Sequence, residues 1–182
     1  MVATRLVTAS ELESFGEDDV RRELLEGELV EMSPTGAGHW VVTSRLLLSI
    51  ADYLKENPVG YLWGAETGFI IQRDPDTVVS PDIAITPADH RRKPTIDDKG
   101  YVTELPILVI EIKSPTDREA QIARKLGLYL AAGVPEVWWV RPQQRQISVH
   151  RPDAATETIV DGSLQSPRLP GYQFGVWDLF AP

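Results

Sequence analysis

One short stretch constrains the fold of this chain more than any other, the apolar run from Leu108 to Ser114. Its aliphatic residues are mostly β-branched and a proline closes it, which is typical of a strand buried in a sheet. Two charged residues, Glu111 and Lys113, interrupt the run two positions apart. Because side chains alternate along a strand, we predict that both project to the face shared by Val109. An unpaired buried charge is costly, so this pair needs partners, a metal ion or a chemical role.

A second apolar strand earlier in the chain carries one acid, Asp82, directly after Pro81. The two strands together give the pattern Pro-Asp … Glu-x-Lys. The carboxylates of Asp82 and Glu111 are hard oxygen ligands of the kind that Mg²⁺ prefers. The alternative is a pair of structural acids in salt bridges to lysines. We favour the metal, because two acids and a lysine in nearly continuous apolar strands are otherwise costly.

Composition sets the class of protein. The 182 residues are 42% hydrophobic and 25% charged, which predicts one soluble globular domain over 1–182. No apolar run approaches the ~20 residues of a membrane span, and the first residues lack the apolar core of a signal peptide. The absence of cysteine excludes disulfides and thiolate zinc sites. We therefore expect a cytoplasmic protein with no membrane partner.

The formal net charge of −9 argues at first against a nucleic-acid partner, because phosphate contacts need Lys and Arg. The charge is unevenly distributed, however. Residues 1–32 hold nine acids and three bases, whereas residues 91–151 hold eleven bases and seven acids. A locally positive face around the Glu111 strand is one interpretation, and scattered solvated charge is the other.

The order of predicted elements favours an α/β (α+β) fold, with a central mixed β-sheet and helices on its faces. We divide the single domain into three parts: an N-terminal helix and hairpin over 8–32, a core over 39–150, and a β-rich tail over 151–182. The hairpin is expected to turn at Glu26 and Gly27. The tail is expected to end in a strand-like piece over 176–180.

Glycine, proline and capping residues in the sequence predict the helix ends. Gly16 should end the first helix, and Pro58 should stop a long helix that begins at His39. A second long helix is predicted from about 117 to 132, where Thr116 and Glu119 form a capping box. The polar segment 87–100 is predicted to be an exposed loop.

The ordered set of motifs resembles the PD-(D/E)XK nuclease superfamily. The closer match is to the bacterial family of "putative restriction endonucleases", the Uma-two-like family. The resemblance covers roughly residues 8–150, and four segments carry it: the hairpin Glu23–Val30, His39, the strand and turn Glu111–Asp117, and Lys125 with Tyr129–Trp138. Many members of that family lack the lysine of the strand and carry one on the next helix. This chain has both, Lys113 and Lys125.

The resemblance implies a restriction-endonuclease-like fold and a divalent-metal-dependent endonuclease that hydrolyses DNA with Mg²⁺ or Mn²⁺. Asp82 and Glu111 would hold the metal, and the backbone carbonyl of Ile112 is a natural third ligand. By family position Glu28 is the favoured fourth ligand, with Glu23 and Glu26 as alternatives.

Catalytic roles follow from the same resemblance. Lys113 or Lys125 would orient the attacking water or neutralise charge in the transition state, and His39 would contact a phosphate or act as an auxiliary base. Lys125 shares a helix face with Gln121 and Tyr129.

Two other functions stay open at this point. One is a non-catalytic nucleic-acid-binding or regulatory module on the same fold, and the other is a metal-dependent hydrolase of a small phosphorylated substrate. We also expect a homodimer, because the tail is apolar in patches and duplex cleavage on this fold usually pairs two sites. Trp138 and Trp139 are expected in the core or in that dimer interface.

Overall fold

The computed structural model describes residues 5–15, 20–88 and 93–181. The helices are α1 (Ala9–Ser14), α2 (Ala37–Glu56), α3 (Glu119–Ala131) and α4 (Val176–Phe180). The strands of the first half are β1 (Arg22–Leu25), β2 (Glu28–Glu31), β3 (Gly60–Gly64), β4 (Phe69–Gln72), β5 (Thr77–Val79) and β6 (Ile83–Pro87). The strands of the second half are β7 (Leu108–Ile112), β8 (Val137–Arg141), β9 (Gln146–His150), β10 (Glu157–Ile159), β11 (Ser163–Ser166) and β12 (Leu169–Gly175).

A six-stranded mixed sheet forms the centre, in the order β10-β9-β8-β7-β6-β3. The parallel pair is β7 and β8, which α3 connects, and the other neighbouring strands run antiparallel. All five residues of β7 are buried, as expected for a strand that has neighbours on both edges and helices on both faces. The predicted central mixed sheet is confirmed.

The two long helices cover opposite faces of this sheet, and the alternation along β7 decides which residues each one meets. Ile110 and Ile112 join the apolar cluster that contains Leu46 of α2. Val109 belongs instead to the cluster that contains Tyr129 of α3. Glu111 therefore points toward α3, on the predicted face.

The N-terminal hairpin has the predicted turn. Glu26 and Gly27 both have positive φ, 56° and 79°, as a tight two-residue hairpin turn requires. The hairpin belongs to a second sheet of order β2-β1-β5-β4, in which Leu24 pairs with Val78. β5 leads directly into the Asp82 segment. The pairing of β1 with β5 therefore places β1 at the end of the central sheet.

The start of α3 differs from the prediction. The helix begins at Glu119, and the side chain of Gln121 accepts a hydrogen bond from the backbone N–H of Arg118. Thr116 is not its cap, because the Ser114–Asp117 segment forms its own turn, in which the Asp117 carboxylate accepts from the Ser114 N–H. At the other end of α3, Gly133 follows the helix with φ 93°, a left-handed conformation that suits glycine.

The C-terminal tail also differs from the prediction. Residues 176–180 form α4 rather than a strand. Most of the tail's apolar side chains lie in the core against α2 and the sheet: Leu164, Leu169, Tyr172, Val176 and Leu179 are buried. Apart from Val160 and Trp177, which are 60% and 71% exposed, the tail is therefore not the free apolar surface on which the expectation of a dimer was based. Trp138 and Trp139 are core residues.

Two sequence predictions fall partly on residues outside those the structure describes. Gly16, the predicted end of α1, is one of them. Of the predicted loop 87–100, residues 93–100 are all exposed, in agreement with the prediction, and residues 89–92 lie outside the description. Among the described residues, no helix combines the length and apolar character needed to cross a membrane.

Candidate active site

The two acids predicted from the sequence meet at one end of the central sheet. β6 and β7 pair antiparallel with Ile83 opposite Ile110, so Asp82, the residue before β6, lies at the end of β7 that carries Glu111. Both carboxylates are buried, with exposed fractions of 6% and 7%.

Asp82 is held by two donors. Its Oδ2 accepts the backbone N–H of Ile112 at 2.8 Å and lies 3.1 Å from Nε2 of His39. The imidazole is held in turn by Thr43, whose hydroxyl lies 3.3 Å from Nδ1 and donates to the carbonyl of His39 at 2.9 Å. One carboxylate oxygen of Asp82 is thus fixed by the strand and by the first turn of α2.

Glu111 is held by α3. Its Oε1 lies 2.8 Å from Nζ of Lys125 and accepts the hydroxyl of Tyr129 at 2.6 Å. Lys125 also donates at 2.8 Å to Oε1 of Glu23 on β1. That same Glu23 oxygen accepts the backbone N–H of Ser80 at 2.7 Å. We call Glu23, Asp82, Glu111 and Lys125 the acid–lysine cluster.

The protonation of the cluster follows from burial and from its charges. Burial raises the pKa of Glu111 to about 7; the ammonium of Lys125 opposes this rise, and the negative charges of Asp82 and Glu23 add to it. Burial lowers the pKa of Lys125, but Glu111 and Glu23 outweigh it and raise the pKa above its ordinary value. Lys125 is therefore a cation at neutral pH.

The pKa values of Tyr129 and His39 are shifted by the same two effects, burial and neighbouring charge. Burial, together with the adjacent carboxylates of Glu111 and Glu23, raises the pKa of Tyr129 well above its ordinary value, so its hydroxyl stays a donor. Burial lowers the pKa of His39, but the hydrogen bond and the charge of Asp82 prevail and raise it above 6.5. The Ile112 backbone adds to this rise.

The second oxygen of each key carboxylate is unused by the protein. Oδ1 of Asp82 and Oε2 of Glu111 accept no hydrogen bond from the described residues. Among the described residues, two fully buried side-chain atoms lack a hydrogen-bond partner, Arg21 Nε and Trp139 Nε1. Neither carboxylate oxygen is one of them. Both oxygens are therefore reachable by solvent, although most of each side chain is buried.

The structure separates the two candidate lysines. Lys113 is turned away from Glu111: its ammonium donates to the carbonyl of Asp117 at 3.1 Å and lies 3.8 Å from Glu119. Lys125, from the helix, lies at the strand glutamate instead. Sharing a strand face with Glu111 did not bring Lys113 to it, because Lys113 follows the last strand residue and its side chain joins the turn.

The structure does not bring Glu28, the favoured fourth ligand, to the cluster. Glu28 is exposed at the start of β2 and pairs with Arg124 at 2.7 Å. Glu26, at the turn, lies 3.3 Å from the same guanidinium. Glu23 is the hairpin acid that reaches the cluster, and it is 1% exposed. The predicted turn was the available signal: acids beside Gly27 must lie at the hairpin tip, whereas Glu23 lies inside the strand.

Fold and cluster together define a restriction-endonuclease-like α/β protein. The chain belongs to the Uma2 family, described as "Putative restriction endonuclease", whose sequence profile matches residues 9–178. It is similar to a solved structure from Anabaena variabilis ATCC 29413, "a putative nuclease belonging to DUF820", with 20% identity and a TM-score of 0.80. That likeness covers 96% of this chain and 98% of the other, and it shows a shared fold. Among curated proteins, none matches the chain.

Proposed function

We propose that the protein is a divalent-metal-dependent endonuclease that hydrolyses phosphodiester bonds of DNA. One observation carries the proposal. Asp82 and Glu111 lie at the same end of the central sheet, each is fixed through one oxygen, and each leaves its other oxygen reachable by solvent. Neighbouring carboxylates that each keep one oxygen free are the hard ligands that Mg²⁺ takes together with waters.

The donor chemistry fits Mg²⁺ or Mn²⁺. Asp82 and Glu111 would supply one oxygen each and the Ile112 carbonyl a third. The described residues contain no group of three or more His, Asp or Glu side chains arranged to hold a metal ion. This is compatible with Mg²⁺, which keeps several waters and binds through one or two carboxylates plus substrate phosphates. When bound, such a cation polarises a phosphate and lowers the pKa of a coordinated water.

Lys125 is the lysine that we assign to the reaction. An ammonium has three donors, and Glu23 and Glu111 take two of them. The third can reach a non-bridging phosphoryl oxygen or the attacking water, where a fixed positive charge stabilises the charge that develops in the transition state. Its two carboxylate partners hold it in place, so little reorganisation is needed.

His39 has a positioning role in this proposal. Its Nε2 lies 3.1 Å from Oδ2 of Asp82, so the imidazole holds this oxygen while Oδ1 stays available to a metal ion. Because its pKa is raised, a larger fraction of His39 is cationic near neutral pH than for an ordinary histidine, which favours an incoming phosphate. Tyr129 likewise positions Glu111, because its hydroxyl donates a 2.6 Å hydrogen bond to that carboxylate.

DNA is the substrate class that the family description favours over a small phosphorylated substrate, because the family is described as "Putative restriction endonuclease".

Plasmid cleavage tests the proposal. We expect the protein with Mg²⁺ or Mn²⁺ to nick or linearise supercoiled DNA, and EDTA to stop the reaction. Asp82→Asn and Glu111→Gln should lower the rate by about 10²-fold or more. Glu28→Gln, which alters an exposed acid outside the cluster, should keep wild-type activity.

The same assay distinguishes the other two functions. DNA binding without cleavage at any pH between 6.5 and 9 would favour the non-catalytic module. Hydrolysis of bis(p-nitrophenyl) phosphate without DNA cleavage would favour the small-substrate hydrolase. Either result contradicts the endonuclease proposal.

A further inference from the structure

The outward side of α2 carries a second apolar seam that the fold does not use. Its inward side chains, such as Leu46 and Ile50, are buried against the sheet. Small or apolar residues also recur on the opposite side with the 4-3-4-3 spacing of a helix-pairing seam. These residues, with Trp40 beside them, are what we call the α2 outer face: Ala37, Trp40, Val41, Ser44, Leu48 and Ala51.

The α2 outer face is uncharged, and its large apolar side chains are exposed. The exposed fractions of Trp40, Val41 and Leu48 are 60%, 44% and 65%. The charged residue within this part of the helix, Arg45, is turned aside, and its Nη1 donates to the carbonyl of Ala181 at 2.7 Å. Among the described residues of this face there is no cation to bind a polyanion such as DNA, so the chemistry fits an apolar protein partner.

We propose that the α2 outer face binds a second copy of this chain, with the two α2 helices antiparallel and a two-fold axis passing at Ser44. Trp40 and Leu48 are each four residues from Ser44, so the axis sets Trp40 against Leu48 of the partner subunit. This makes the face self-complementary, as an isologous dimer interface requires. The inference does not depend on the reaction that the acid–lysine cluster performs.

The residue at the axis suits a close helix crossing. Ser44 is small, and its hydroxyl donates to the carbonyl of Val41 at 3.0 Å within its own helix. It therefore brings no unsatisfied donor into an apolar interface, where burying one is costly. Small residues at such a position let two helices approach to the short end of the usual 8–10 Å interaxial range.

The available area is that of an interface core. α4 lies beside α2, since Arg45 also donates to the carbonyl of Asp178, and the neighbouring Trp177 is 71% exposed. At about 200 Å² for a whole aromatic side chain, Trp40 and Trp177 alone present roughly 250 Å². With Val41 and Leu48 the exposed apolar area approaches ~400 Å², within the ~300–600 Å² of the largest apolar patch on a typical monomer, which is often functional. A standard interface buries about 800 Å² per partner, so this patch would form its centre and polar neighbours its rim.

Mass in solution is the first test. Light scattering on the wild type at micromolar concentration should give twice the 20.3 kDa of one chain. Leu48→Glu should give a monomer, because a charge would be buried at the seam. Val160→Glu is the matched control, since Val160 is 60% exposed on another part of the surface, and it should stay dimeric. A monomeric wild type, or a dimer that survives Leu48→Glu, would overturn the proposal.

Disulfide trapping tests the position of the axis, because the chain has no cysteine of its own. Ser44→Cys should form a covalent dimer on mild oxidation. Ala37→Cys alone should not, because in the antiparallel pair the two thiols would lie about 20 Å apart along the helices, far beyond disulfide reach. A mixture of Ala37→Cys and Ala51→Cys chains should cross-link. Efficient trapping of Ala37→Cys alone, or failure of Ser44→Cys, would overturn the antiparallel arrangement.

Discussion

Lys125 and Glu23 are 102 residues apart in the sequence and form a buried ion pair, with Nζ and Oε1 at 2.8 Å. The same ammonium lies 2.8 Å from Glu111, so one lysine ties the N-terminal hairpin to the central strand through α3. Glu23, Glu111 and Asp82 bring three carboxylates to this place, against Lys125 and the titratable His39. The metal-free cluster is therefore rich in negative charge, which is a condition that a divalent cation relieves.

The first prediction concerns the two lysines. Lys125→Ala should lower the rate of DNA cleavage by about 10²-fold or more, because a fixed transition-state charge is lost. It should also destabilise the fold by about 3–5 kcal/mol, because two buried carboxylates lose their cation. Cleavage assays and urea unfolding measure the two effects.

Lys113→Ala is the control for both measurements. Lys113 contacts the turn carbonyl of Asp117 and the exposed Glu119, so its loss should cost about 1 kcal/mol or less and leave most of the activity. A larger loss of activity in Lys113→Ala than in Lys125→Ala would return the catalytic role to the strand lysine.

The second prediction concerns the shortest hydrogen bond to Glu111. Tyr129→Phe removes the phenol that donates to its Oε1 at 2.6 Å, and it should destabilise the protein by about 1.5–3 kcal/mol. Tyr53→Phe is the matched control, because the Tyr53 hydroxyl donates to the carbonyl of Pro170 at an exposed place. Urea unfolding of both variants checks the ranking, and equal costs would show that the Tyr129–Glu111 bond has no special energetic weight.

The central sheet and its main acids were predictable because their signals are local. The apolar run of β7 with its single glutamate, the Pro-Asp before β6, and the Glu26–Gly27 turn each describe a few neighbouring residues. Local patterns determine strand alternation and turn type. They gave the face of Glu111 and the position of the hairpin.

The partners of those acids were not predictable in the same way, because they depend on long-range pairing. Glu23 reaches the cluster only because β1 pairs with β5, an arrangement that no local pattern encodes. The choice between Lys113 and Lys125 depended on whether Lys113 belongs to the strand or to the turn after it. A shift of the strand end by one residue changes the answer. Likewise, the apolar tail could not be assigned to the core or to a dimer interface without knowing that it packs against α2.

The third prediction concerns the pH dependence of stability without metal. Burial raises the pKa of Glu111 from 4.5 to about 7 in the folded protein, although Lys125 opposes the rise. Between these two pH values the folded state holds more protons than the unfolded chain, so this group's contribution to stability falls as the pH rises. The raised pKa of His39 acts in the same direction above pH 6.5.

Glu111→Gln isolates the contribution of that carboxyl group. In EDTA, the free energy of unfolding of the wild type relative to Glu111→Gln should fall between pH 4.5 and 7, by roughly 3 kcal/mol at most. Urea unfolding at pH 5, 6, 7 and 8 measures this difference. A difference that stays constant or rises with pH would mean that Glu111 is ionised in the fold over the whole range.

The last prediction concerns the metal itself. If Asp82 and Glu111 are its ligands, millimolar Mn²⁺ should stabilise the wild type by about 2.7 kcal/mol at a hundredfold excess over its dissociation constant. For a chain of this size that corresponds to a rise in melting temperature of roughly 5–10 °C. The rise should be larger at pH 8 than at pH 6, because metal ligation requires the carboxylate form of Glu111.

Asp82→Asn should abolish the response to Mn²⁺ and still fold without metal, because its amide oxygen can accept from the Ile112 N–H as the carboxylate does at 2.8 Å. Removing one of several neighbouring negative charges should leave the metal-free protein as stable as the wild type or slightly more so. Glu28→Gln should respond to Mn²⁺ like the wild type, because Glu28 pairs with Arg124 outside the cluster. A structural acid pair predicts the opposite pattern, in which Mn²⁺ changes no melting temperature and Asp82→Asn is destabilised by the loss of its charged partner His39. Thermal melts of the three proteins, each with and without Mn²⁺, decide between the two patterns, and the second would remove the metal site on which the endonuclease proposal depends.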